Sequence, residues 1–181
     1  GDRVAVWAAN SPEWVLLEFG AALAGLTLIT VNPAYLANEL GYVLRQSRAV
    51  GLFVMPVYRG RSLLEVVAQV RPELPLLRDV IALGDWEAFV ASGSSAQELP
   101  SVAPGEIAQI QYTSGTTGFP KGAQLPHRGL ANNGRFYGRR IGAGVGDVWV
   151  NPMPMFHTAG CGLATLGALQ TGGTHVLPPG F

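Results

Sequence analysis

The sequence predicts an α/β fold, mainly parallel sheets with helices on both faces. Three observations predict it. Short apolar runs of strand length alternate with longer capped segments, the order expected of strand–helix–strand units. Those runs are apolar on both faces, as strands buried inside a parallel sheet are. The composition is core-rich, with 48% hydrophobic and 13% charged residues, a globular balance and not a disordered one.

Taken in order, R-V-A-V-W-A (3–8) is valine-rich and predicts a strand. Ser11 and Pro12 supply a capping hydroxyl and a proline at the first helical position, opening a helix to about Leu23 or Ala24 that Gly25 ends. L-T-L-I-T-V (26–31) is the next strand, and Asn32-Pro33 repeats the cap-then-proline signal for a helix through about Gln46. A-V-G-L-F-V-M (49–55) is a strand, followed by a helix around Ser62–Val70, a strand at Val80–Leu83 and a short helix near Trp86–Val90. Serine, glycine and proline dominate residues 92–106, a loop or linker that separates a first α/β block (1–91) from a second (107–181). The second block opens with the strand I-A-Q-I-Q-Y (107–112), then a helix over 128–140, a strand at Val148–Asn151, a helix over 160–170 and a strand at His175–Leu177.

Residues 14–31 are the one stretch of membrane-span length. Glu18 lies inside it and Gly20 and Gly25 interrupt it, so a buried helix followed by a buried strand explains it better than a transmembrane segment. Lysine plus arginine and aspartate plus glutamate are both 12, giving no net charge and no basic stripe of the kind nucleic acid requires. So few charges at zero net charge predict poor solubility or a covered surface, hence a homodimer or self-association. The single cysteine, Cys161, rules out an internal disulfide and fits a reducing compartment. The expected location is the cytoplasm, with peripheral contact at membranes.

The chemistry is concentrated in Y-T-S-G-T-T-G-F-P-K-G (112–122). A strand ending in a glycine-rich turn aims several backbone N–H groups at one anion. Gly115 and Gly118 let backbone approach a ligand, Thr113, Ser114, Thr116 and Thr117 add hydroxyls, and Lys121 adds a charge on a flexible stem. The pattern fits a polyphosphate; an exposed surface loop is the plainer reading of the same composition. Pro120 blocks an α-helical Phe119, so the loop should not run straight into a helix. It is therefore not a Walker A loop, which needs lysine followed by serine or threonine at a helix start. Nor is it a nucleophile elbow, because Tyr112 stands where the first glycine would be.

The stretch resembles the phosphate loop of the adenylate-forming enzymes: acyl- and aryl-CoA synthetases, luciferases and peptide-synthetase adenylation domains. The similarity runs over essentially the whole chain. G-D-R-V-A-V-W-A-A-N-S-P-E-W (1–14) and N-P-A-Y-L-A-N-E-L (32–40) resemble the N-terminal part of the family's large domain, and P-M-F-H-T-A-G (154–160) its aromatic–histidine motif. With N-P-A-Y, that motif favours the fatty acyl-CoA synthetase branch. Pro126-His127 departs from the pattern, because the family usually has a hydroxyl residue before the histidine; a helix cap is lost there.

The resemblance implies two steps. A fatty acid or other carboxylic acid attacks the α-phosphate of ATP to give an acyl-adenylate and pyrophosphate. A thiol, usually that of coenzyme A, then takes the acyl group. It also implies roles for residues of this chain: Thr113, Ser114, Gly115, Thr116, Thr117, Gly118 and Lys121 around the phosphates, Thr113 at the magnesium ion, and His157 at the carboxylate end of the acyl pocket, with Lys121 and His157 as the catalytic pair. Read without the resemblance, His157 is a semi-buried structural histidine at a strand-to-helix turn. His157 and Cys161 are four apart, but two further ligands for a zinc ion are missing, and Cys161 reads as a small buried residue. The family's adenine, ribose and hinge motifs and its C-terminal lysine have no counterpart here. The chain is thus expected to be an incomplete large domain of an acyl-CoA synthetase-like fold, inactive by itself. Open alternatives are an aryl-acid or short-chain acyl-CoA ligase and, in another class, a non-catalytic nucleotide-binding or scaffold module.

Overall fold

The computed structural model describes residues 1–94, 98–113 and 120–178. The valine-rich opening run forms β1 (Arg3–Trp7), and Ser11 caps α1 (Pro12–Leu23), its hydroxyl accepting the Trp14 N–H at 3.3 Å. The helix ends because Gly25 takes φ +66°, which lets the Leu26 N–H return to the Ala21 carbonyl at 2.9 Å. Then follow β2 (Thr27–Val31), α2 (Ala37–Ser47), β3 (Gly51–Val54), a small hairpin of β4 (Val57–Tyr58) and β5 (Arg61–Ser62), α3 (Leu63–Val70), β6 (Asp79–Ala82) and α4 (Trp86–Ala91). After residues 92–106 come β7 (Ile107–Thr113), β8 (Lys121–Pro126), α5 (His127–Arg140), β9 (Val148–Val150), a π-helix (Ala159–Thr165), α6 (Leu166–Thr171) and β10 (Thr174–Val176).

Six strands form one sheet in the order β6-β3-β1-β2-β7-β8, parallel except for the antiparallel pair β7–β8. The sheet thus takes strands from both sides of residues 92–106. Alternate residues of each strand feed two cores. On one face Ala5, Trp7, Ile29, Val31, Leu52 and Ile110 pack with α2 and α3. On the other, Val6, Ala8, Leu28 and Phe53 pack with Trp14, Leu17 and Ala21 of α1 and with Cys161 of the π-helix. Helices on both faces are therefore what the doubly apolar strands require. Each large side chain so buried stabilises by roughly 1.5–3 kcal/mol. Separately, β9 and β10 form a parallel two-stranded sheet. Among the described residues no helix is long and apolar enough to cross a membrane; residues 14–31 divide into α1 and β2.

Two local expectations are corrected, and one strand is added. Asn32 does not cap a helix: its side chain accepts from the Ala34 N–H at 2.9 Å in a tight turn, and α2 starts only at Ala37. Residues 121–126 form β8, which the sequence reading did not foresee. The expected helix over 160–170 opens as a π-helix. The Gly160 carbonyl accepts from Thr165 Oγ1 (2.9 Å) and Asn151 Nδ2 (3.3 Å), which draws it out of an α-helical ladder. The lost cap at Pro126 is made good from elsewhere. Among the described residues no side chain caps α5, and the N–H groups of His127 and Arg128 donate to the carbonyls of Glu106 and Pro104 at 3.0 and 2.9 Å.

Candidate functional site

β7 delivers the chain to the glycine-rich loop and β8 carries it away, with Thr113 and Lys121 as partners in the last step of the antiparallel ladder. The loop therefore leads into a strand and not a helix, as Pro120 required. Both Thr113 and Lys121 are exposed. Ser114, Gly115, Thr116, Thr117 and Gly118 lie outside the described residues, so their expected roles gain no geometry here.

β7 is parallel to β2, and the loop leaves its carboxyl end. The His157 turn lies at that same end of the neighbouring strands. Asn10, just past β1, donates to the Met153 carbonyl and accepts from the Met155 N–H, both at 2.8 Å. Thr30, near the end of β2, donates its hydroxyl to the Phe156 carbonyl at 2.7 Å. Thr30 is the register partner of Gln111, two residues before Thr113. Loop and histidine turn thus share the carboxyl edge of the parallel strands, where open α/β sheets bind ligands.

His157 is exposed, and its Nδ1 accepts from the Ala159 N–H at 3.1 Å. That bond assigns the proton of the neutral ring to Nε2, leaving an N–H donor outside the turn. His157 and Cys161 do not form a ligand pair. The Cys161 thiol is buried, takes a 3.2 Å hydrogen bond from Gln111 Nε2 and sits 3.4 Å from the His157 carbonyl. Burial, then the nearby Glu18, push that thiol far above its ordinary pKa, so it is an unreactive packing group.

Behind the site runs a buried polar chain that sequence reasoning passed over. Gln109 donates to Glu18 Oε1 at 2.7 Å, and Gln111 donates to Gln109 Oε1 at 2.9 Å and to Cys161. It ties α1 through β7 to the π-helix. Burial pushes the Glu18 carboxyl up to about 8, opposed by the bond from Gln109, and Glu18 Oε2 has no partner among the described residues. Two glutamines at alternate positions of an otherwise apolar strand were the available signal, together with a glutamate inside an apolar helix.

A largely parallel α/β sheet with the ends of a glycine-rich segment and a histidine turn on its carboxyl edge belongs to the class of open α/β domains that bind ligands at that edge. The chain belongs to the family of AMP-binding enzymes, whose model matches residues 1–181. It is 32% identical over 208 residues to the human mitochondrial medium-chain acyl-CoA ligase ACSF2, which covers 98% of this chain and 34% of the relative. It is similar to the crystal structure of a long-chain-fatty-acid-CoA ligase (FadD1) from Archaeoglobus fulgidus, with a TM-score of 0.87 and 32% identity over 98% of this chain and 35% of that one. It is also similar to the anthranilate CoA ligase AuaEII in complex with anthranoyl-AMP, with a TM-score of 0.90 and 25% identity over 100% of this chain and 35% of that one. The chain spans about a third of the length of the curated relatives it matches.

Proposed function

We propose that the whole protein is an AMP-forming acid–thiol ligase that activates a fatty acid with ATP and passes the acyl group to coenzyme A. The observation that supports this is the carboxyl edge of the sheet, which carries both the loop ends at Thr113 and Lys121 and the His157 turn. In the first step a carboxylate oxygen bonds to the α-phosphorus, and the bond from that phosphorus to the α,β-bridging oxygen breaks, the oxygen leaving as part of pyrophosphate. In the second, the thiol sulfur bonds to the acyl carbon, and the acyl carbon–oxygen bond breaks to release AMP. Little covalent work falls to the protein, so position and charge neutralisation dominate.

In this reading the loop residues 113–118 cradle the phosphates and Lys121 offsets the charge that pyrophosphate carries away. The Nε2–H of His157 donates to the acid's carboxylate. Magnesium would arrive with the phosphates and meet the Thr113 hydroxyl. The 181-residue chain alone is inactive, because positioning fails when most of the ligand's surroundings are supplied elsewhere. Exposed Val145, Val148 and Val150 support self-association of the isolated chain. A cytoplasmic setting with peripheral membrane contact completes the proposal.

The likeness to AuaEII favours one second reading, an aryl-acid ligase. An ATP–pyrophosphate exchange screen of the whole protein against fatty and aryl acids tests both. Exchange driven by fatty acids supports the proposal, exchange driven by aryl acids alone replaces it with the second, and exchange with no acid refutes both.

A further inference from the structure

The two ends of the loop are gripped by a helix on the far side of the sheet from His157. One face of α2 carries Tyr42, Val43 and Gln46 towards β7 and β8. The Tyr42 hydroxyl donates to the Pro120 carbonyl at 3.1 Å. The Tyr112 hydroxyl meets Gln46 Oε1 and lies 3.4 Å from the Val43 carbonyl. One helix thus holds the residue that opens the motif and the residue just before Lys121.

The β7–β8 ladder holds Tyr112, opposite Gly122, but does not reach the outgoing end at Pro120. Its last pair is Thr113 with Lys121, so Pro120 lies one residue beyond it, and Tyr42 supplies the bond that the ladder cannot. On the incoming side the Tyr112 ring crosses β8 at Gly122. A Cβ there would come within 2.9 Å of Ile110 Cγ2 and 3.3 Å of Tyr112 Cζ, so glycine makes room for the ring. Burial pushes the Tyr112 hydroxyl up to about 12, so it remains a donor at any working pH.

The support is rigid. Leu40, Val43 and Leu44 of α2 are at most 1% exposed. The chain entering α2 is pinned by Arg61, which donates to the carbonyls of Pro33 and Tyr35, each at 2.9 Å. Packing alone explains the two aromatic rings but not their hydroxyls, since phenylalanine would fill the same space. A hydroxyl aimed at a loop end on a well-packed helix is the arrangement that pre-organises a binding loop.

We propose that Tyr42 and Gln46 are positioning residues for the triphosphate, holding the two ends of the 112–122 loop against α2. The inference rests on the phosphate-loop reading above. Neither residue touches substrate; both act through the loop.

The test uses the whole protein with Tyr42→Phe, Gln46→Ala and the double variant. Exchange kinetics are measured against ATP and against the acid, alongside thermal melting. Each single variant should raise KM for ATP about two- to ten-fold, the net worth of one hydrogen bond, and the double variant more. KM for the acid and the melting temperature should barely move. Gln46 is exposed, so its variant keeps the test alive if Tyr42→Phe disturbs the fold. An unchanged KM for ATP in Gln46→Ala and Tyr42→Phe overturns the inference while the ligase reading stands. So does a joint rise of both KM values with lost melting temperature. Absence of exchange in the unmutated protein removes the ligase reading, and the inference with it.

Discussion

Glu18 should make the fold weaken as pH rises through neutrality, and Glu18→Gln should abolish that dependence. In the fold the carboxyl keeps its proton up to about pH 8, whereas the unfolded chain releases it near the ordinary value of 4.5. Between those values the native state binds one proton more than the unfolded state, so stability is full below about pH 4.5 and falls until about pH 8. One pKa unit corresponds to about 1.4 kcal/mol, so the loss approaches about 3 kcal/mol at pH 7. Glutamine keeps the shape and an oxygen for Gln109 to donate to, but does not ionise. Its extra N–H would sit where Oε2 already lacks a partner, a pH-independent cost of about 1–3 kcal/mol. The diagnostic is therefore the change with pH and not the absolute stability. Urea unfolding of this chain and of Glu18→Gln from pH 4.5 to 8.5 should show the variant gaining on the parent by a few kcal/mol. Parallel pH profiles would refute the buried protonated carboxyl.

Three further outcomes are expected. Lys121→Ala in the whole protein should lower adenylation about ten- to a hundred-fold, the worth of a charge-assisted contact of roughly 1.5–3 kcal/mol, with thermal melting unchanged because Lys121 is exposed. His157→Ala should reduce adenylate formation more than ATP affinity, read by exchange kinetics beside ATP titration; joint loss of ATP binding and melting temperature would mark His157 as structural. Gly134→Ala should cost about 1–3 kcal/mol in urea unfolding. Its Cβ would sit 2.8 Å from Leu166 Cβ and 3.0 Å from the Gly162 carbonyl oxygen and the Gly167 nitrogen, and backbone cannot yield cheaply.

Local signals were legible in the sequence and distant ones were not. Ser11, Pro12 and Gly25 bound α1 through contacts within a few residues, so reading them in order sufficed. Asn32-Pro33 misled because an asparagine side chain that bonds two residues ahead serves a turn as well as a helix cap. β8 (K-G-A-Q-L-P) has no β-branched or aromatic residue and is half exposed, and it becomes a strand because β7 lies beside it. The π-helix depends on Asn151, nine residues from the carbonyl it captures. At the site, the loop and His157 were visible as motifs. Their shared edge needed Asn10 and Thr30, and the grip of α2 joins residues 78 and 66 apart in sequence.

The most direct measurement of the central claim follows one oxygen atom. The whole protein is given a fatty acid labelled with oxygen-18 in its carboxylate, together with ATP, magnesium and coenzyme A, and the products are weighed by mass spectrometry. Attack of the carboxylate on the α-phosphorus, followed by acyl transfer to sulfur, leaves one labelled oxygen on AMP and none on pyrophosphate. Label in inorganic phosphate with ADP as co-product, or AMP free of label, would contradict the account.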